Sequence, residues 1–170
     1  RKQAMGTANR NATAAEMQTM EKLAAEAMRD GAVGMSTGLI YIPGTYAPTE
    51  EIVALAKVIR AGGGVYSSHI RYEEDKVLDA INEAIQIGRA ANITVEISHF
   101  KVSGQNNWGR SKETIPLVIN ARKEGIDVTI DQYPYTASST QLSVLLPDWV
   151  LSDGQDSIMA RLKNAEIRKR

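Results

Sequence analysis

The chain contains no cysteine. A disulfide framework, a thiolate metal ligand and a thiolate nucleophile are therefore excluded within it, although that absence does not fix the compartment. It carries no surplus charge: 20 Lys and Arg balance 20 Asp and Glu, for a formal net charge of zero. Electrostatics thus gives no argument for a nucleic-acid partner or an anionic membrane. No apolar run approaches the roughly 18 residues that a bilayer span requires. Histidine is also scarce, with two in 170 residues.

At 43% hydrophobic and 24% charged, 170 residues fit one globular domain of ordinary size. The chain opens RKQAMG, without an initiator Met, and stops at AEIRKR inside a helical pattern. Residues 1–170 therefore read as an internal piece of a longer protein whose leader could lie elsewhere. The cytoplasm is the expected compartment.

Helix and strand signals alternate. Thr13 and Glu16 make a capping box, in which side chains satisfy free backbone N–H groups. The helix former-rich AAEMQTMEKLAAEAMRD follows, and Gly31 ends it. Its Met17, Met20 and Met28, with Met35 beyond, read as packing. AVGMSTGL is a short strand, and IYIPGTYAP is a loop punctuated by Pro43, Gly44 and Pro48. Thr49 is expected to cap the next helix, with Glu50 and Glu51 complementing its dipole and Ile52, Leu55, Ala56 and Ile59 forming its apolar face. GGG at 62–64 stops it before the strand VYSSH.

The unit repeats. A helix over about 76–89 has Val77, Ile81, Ala84, Ile85 and Gly88 on one face, with Asn92 ending it before ITVEISH. A helix over about 112–124, with Pro116 expected in its first turn, precedes IDVTIDQYPY. A last helix is expected over about 156–163. Strands starting near 33, 65, 94 and 127 imply an α/β fold of parallel strands with helical crossovers. Four such units make about half of a TIM-type (β/α)8 barrel, which needs roughly 250 residues. The alternative is an open doubly wound sheet, which wants a Gly-rich strand-to-helix loop. Here GGG runs from helix into strand and cradles no phosphate.

In parallel α/β folds chemistry gathers at the carboxyl ends of strands. Those ends carry Ser36 and Tyr41, then His69 and Arg71, then His99 and Lys101, then Asp131, Tyr133 and Tyr135. If the second and third strands are neighbours, His69 and His99 lie about 5 Å apart. Two imidazoles could then reach one metal, or they could be hydrogen-bonded core histidines. Two ligands do not complete a zinc site, which usually takes three or four. Lys101 could fix a carboxylate or be a solvated loop lysine. Arg71, Glu73 and Glu74 read as an ion cluster within a loop. Tyr133 and Tyr135 could donate to an oxyanion or pack in a core. NNWGR reads as a loop in which Trp108 covers a neighbour.

MRDGAVGMSTGLIYIPGTYAPTEEIVALAKV, GGGVYSSHIR, AINEAIQIGRAANITVEISHFKVSG, NNWGRS and DQYPYTASST occur in one order along nearly the whole chain. In that order they resemble the D-aminoacylases, the N-acyl-D-amino-acid deacylases of the amidohydrolase superfamily. The resemblance implies a zinc-dependent hydrolase, with one or two zinc ions, that cleaves a small N-acyl-D-amino acid. It implies metal binding by His69 and His99 after the fifth and sixth barrel strands, a substrate carboxylate held by Lys101, Tyr133 and Ser139, and Tyr41 lining the pocket. The family's His-x-His pair, cysteine ligand and general-base Asp have no counterpart in this chain. No catalytic residue is therefore expected within it, and the isolated chain is expected to be inert. Asp131 is a strand-end carboxylate that the resemblance does not make the base. Two alternatives stand. A dihydroorotase- or hydantoinase-like enzyme commonly has a lysine on the fourth strand, which AVGMSTGL lacks. A non-catalytic half-barrel would bind no metal. Open strand edges predict self-association of the isolated chain.

Overall fold

The structure is a computed structural model that describes residues 1–169. A short helix α1 (Lys2–Met5) precedes α2 (Ala14–Arg29), and four strands alternating with three helices follow: β1 (Gly34–Gly38), α3 (Thr49–Ala61), β2 (Val65–His69), α4 (Val77–Ala91), β3 (Val95–Ile97), α5 (Ser111–Lys123) and β4 (Val128–Ile130). Two helices, α6 (Asp148–Leu151) and α7 (Gln155–Lys163), close the sequence. The strands form one parallel sheet in the order β1-β2-β3-β4, with Ser36 beside Ser67, Ser67 beside Glu96 and Glu96 beside Thr129. This is the architecture expected from the alternating pattern.

The register gives the sheet two unlike faces. One face presents Tyr66 and Ser68, Val95 and Ile97, and Val128, all buried beneath the helices with Ile81, Ile85 and Ile87 of α4. Full burial of each such aliphatic side chain contributes roughly 1.5–3 kcal/mol. Buried Tyr66 shares a hydrogen bond of 2.8 Å with Thr37, and burial raises its phenol pKa, so it stays neutral. The other face presents Ser36, Ser67, Glu96, Ser98 and Thr129. There Ser67 and Ser98 donate to one Glu96 carboxylate oxygen at 2.5 and 2.7 Å.

Each helix-to-strand turn contains a residue at positive φ: Gly31 (103°), Gly63 (79°), Asn92 (51°) and Gly125 (85°). The left-handed conformation ends the helix and returns the chain to the sheet within a few residues. Gly88 serves packing instead, because a Cβ there would lie 2.5 Å from Val95 Cγ2.

The capping box forms: Glu16 N–H donates to Thr13 Oγ1 at 3.3 Å, and Thr13 N–H donates to Glu16 at 2.8 Å. Three local expectations are corrected. Pro48, not Thr49, is the N-cap of α3, and the Thr49 hydroxyl donates instead to Glu83 at 2.9 Å. Pro116 lies in the second turn of α5, where its exposed position tolerates one lost ladder bond. Trp108 is 73% exposed and shields no core.

Candidate metal and carboxylate site

His69 is the last residue of β2 and follows Ser67 on the polar face. His99 reaches the same place by a different route. Ser98 shares the polar face with Ser67, their hydroxyls 3.0 Å apart, so regular alternation would turn His99 toward the helices. Instead His99 has φ 42°. Its backbone N–H donates to the Asp131 carboxylate, and Phe100 N–H donates to the Asp131 carbonyl at 2.8 Å. A non-glycine residue in this region costs about 1–3 kcal/mol and commonly marks a functional position. The rings of His69 and His99 stand edge to face with centroids 4.4 Å apart.

Glu73, from the loop after β2, joins them. Its Oε1 lies 3.1 Å from His99 Nδ1 and 3.8 Å from His69 Nε2. One donor atom from each of His69, Glu73 and His99 falls within a 4.8 Å set. Zinc–nitrogen bonds of about 2.0–2.1 Å in a tetrahedron put ligands roughly 3.3 Å apart, a spacing the two imidazoles can meet after small adjustment, whereas Glu73 Oε1 is already engaged by Lys101 Nζ at 2.6 Å. His69 Nε2 is buried and has no hydrogen-bond partner among the described residues, as fits a donor atom kept for an ion. Burial lowers the His69 pKa, opposed by Glu73 and aided by His99 and Lys101. The imidazole is therefore neutral near pH 7, the form that ligates.

Lys101 Nζ donates to Glu73 Oε1 at 2.6 Å and lies 3.1 Å from His99 Nδ1 and 5.7 Å from the centre of the Tyr133 ring. Tyr41 stands on the far side of His69, ring centroids 5.0 Å apart, packed on Gly38 where a Cβ would lie 2.9 Å from its ring. Its hydroxyl shares a hydrogen bond of 2.9 Å with Thr140. Tyr133 lies 6.3 Å from His99, so four rings run across the four strand ends. A cavity of about 610 Å³ is lined by Tyr41, His69, His99, Lys101, Tyr133 and Ser139 together.

Of the residues singled out from sequence, Tyr41, His69, His99, Lys101, Tyr133 and Ser139 thus line one cavity, whereas Ser36, Asp131 and Tyr135 do not line it. The reading of Arg71, Glu73 and Glu74 as one loop cluster is corrected. Arg71 turns away to Glu83, donating at 2.8 and 2.9 Å, and also donates to the carbonyls of Thr45 and Ala47, both at 2.8 Å. It thereby ties the loop after β1 to α4. Glu73 enters the cavity, and only its place four residues after a strand-end histidine could have signalled that. Thr140 was also missed. Asp131 serves His99's backbone.

No family model matches the chain. The D-aminoacylase of Alcaligenes xylosoxydans xylosoxydans is 47% identical over 133 residues, 78% of this chain and 27% of that protein. A crystal structure of D-aminoacylase, described as defining a novel subset of amidohydrolases, superposes with TM-score 0.74 at 44% identity, covering 78% of this chain and 28% of the other. The N-acyl-D-glutamate deacylase of Bordetella bronchiseptica, solved with zinc and a phosphonate mimic of the tetrahedral intermediate, gives TM-score 0.72 at 42% identity over 74% and 26%. The chain spans about a quarter of the length of these proteins. Over four parallel strands and the helices between them, the chain is thus homologous, at 42–47% identity, to about a quarter of these D-aminoacylase and deacylase chains, whose fold is the amidohydrolase barrel.

Proposed function

We propose that this chain, residues 1–170, is the central segment of a zinc-dependent hydrolase that splits N-acyl-D-amino acids into a carboxylate and a free D-amino acid. The observation that carries the reading is the convergence of His69, His99 and Lys101 on one cavity, with Lys101 Nζ 3.1 Å from His99 Nδ1. Metal donors and a carboxylate-binding cation are thereby adjacent, as a substrate with its carboxylate close to the scissile amide requires. His69 and His99 would hold one or two zinc ions, with further ligands from segments outside the chain. Bound zinc supplies polarisation of the acyl carbonyl and a water of lowered pKa. Lys101, Tyr133 and Ser139 hold the substrate carboxylate, and Tyr41 walls the pocket beside His69. The general base lies outside this chain.

No helix among the described residues is long and apolar enough to cross a membrane. The cytoplasm is the compartment assigned here. In isolation the chain self-associates through the free edges of β1 and β4, where Val33 is 85% and Ile130 42% exposed. Light scattering that shows only monomer removes that statement.

The function is tested on the purified, zinc-loaded full-length protein with N-acetyl-D-leucine, N-acetyl-D-aspartate and N-acetyl-D-glutamate, and a hydantoin as control. Release of a free D-amino acid from at least one is expected. No release, or cleavage of the hydantoin alone, overturns the reading.

A further inference from the structure

Glu73 is held toward Lys101 at two levels. Its carboxylate accepts from Lys101 Nζ at 2.6 Å. Its backbone carbonyl accepts from Ser103 N–H, two residues beyond Lys101, at 2.7 Å. The loop after β2 and the loop after β3 are thus clasped through one residue. The neighbouring acids do not share this role: Glu74 and Asp75 are exposed, and Asp75 accepts from Asn107 at 2.9 Å. The Glu73 and Lys101 side chains are 12% and 22% exposed, so their charges attract with less screening than a surface pair.

An ammonium has three donors. In Lys101 one goes to Glu73, and a second faces His99, at Nδ1 (3.1 Å) or its carbonyl (3.4 Å). One remains for a ligand. A free lysine on a four-carbon stem would have to be immobilised when the ligand arrives. Here the immobilisation is already made.

We propose that Glu73 is the positioning residue that holds Lys101 ready for the substrate carboxylate. The inference rests on the functional reading above and assigns a role to a residue that reading does not use. Glu73 acts through Lys101, so its removal weakens ligands that carry a carboxylate and spares those that lack one.

The test uses the full-length protein as wild type, Glu73→Gln, Glu73→Ala, Lys101→Met and the Glu73→Gln/Lys101→Met pair. The probes are whichever of the three N-acetyl-D-amino acids binds most tightly and its alcohol analogue, in which a hydroxymethyl group replaces the α-carboxylate. Calorimetric Kd is read beside KM, so binding is scored with or without turnover. Glu73→Ala is expected to weaken the acid about tenfold, the low end of the loss typical for residues that orient a site group. Glu73→Gln, of nearly the same shape, should weaken it less and serves if the alanine variant does not fold. The alcohol should be unaffected, and Glu73→Gln should add nothing in the Lys101→Met background. Equal losses for both probes, or a loss that persists without Lys101, overturn the proposal, since Glu73 would then act on the metal or the fold. Hydrolysis without Glu73 dependence removes only this proposal. Glu73-dependent acid binding without hydrolysis removes only the hydrolase reading. A wild type that fails to bind the acid removes both.

Discussion

The His69 and His99 imidazoles meet edge to face with centroids 4.4 Å apart, although one ends a regular strand and the other sits at φ 42° beyond a strand end. His99 is brought to His69 by a left-handed turn after β3 rather than by strand alternation.

If both rings bind one ion, neither is dispensable. In the full-length protein, His69→Ala and His99→Ala should each reduce zinc affinity by more than the roughly 10–100-fold that loss of an outer partner produces. Calorimetric titration measures this. A variant that keeps wild-type affinity would mean that its imidazole is not a ligand.

Arg71 should govern the stability of the loop that presents Tyr41. It pairs with Glu83 with side-chain exposures of 14% and 13%, and it donates to the carbonyls of Thr45 and Ala47. Arg71→Met would leave the Glu83 carboxylate without its cation, a loss of about 3 kcal/mol. Urea denaturation reads the total. Hydrogen exchange should quicken first at Thr45 and Ala47, whose N–H groups donate to Tyr41 and Gly44. Unchanged exchange there would show that the loop stands without Arg71.

The contact of α4 with β3 is tight at Gly88. The Cβ introduced by Gly88→Ala would lie 2.5 Å from Val95 Cγ2 and 3.4 Å from the Ile93 carbonyl. Overpacking of this kind costs about 1–3 kcal/mol, and the denaturation midpoint should fall accordingly. An unchanged midpoint would mean that the helix shifts freely on the sheet.

How much of this was legible depends on what each feature rests on. The parallel order followed from turn residues and from apolar periodicity, both local properties. Strand-end positions gave His69, His99, Lys101 and Tyr133 for the same reason. Glu73 could not be separated from Glu74 and Asp75, because its direction is set by the loop after β3 through Ser103 N–H. Thr49 carries an ordinary capping signal, but the Glu83 carboxylate, 34 residues away, takes its hydroxyl. The left-handed turn at His99 has no sequence mark, since glycine is the residue that normally announces such a φ.

Acid should leave the start of α2 intact well below the usual carboxylate range. Hydrogen bonds from the Arg10 guanidinium, then from Thr13, lower the Glu16 pKa from 4.5 to about 2. A depressed folded pKa gives stabilisation that is complete above the unfolded value and disappears as pH falls through the folded one. The Glu16 side-chain carbon signal should therefore titrate near pH 2, and higher in Arg10→Ala but still below 4.5, because the Thr13 hydrogen bonds remain. A midpoint near 4.5 in the wild type would show that the pairing does not persist in solution.

The positive-φ turns at Gly31, Gly63, Asn92 and Gly125 all lie where helices hand the chain back to the sheet, whereas every candidate site group lies where strands leave it. Frame and chemistry thus occupy opposite rims. Substrate preference can drift, under natural selection or in a designed library, through residues 41–46 and 133–140 while the helix-ending rim stays fixed. Random mutations at that rim would register as lost protein yield, and those at the other as altered substrate choice.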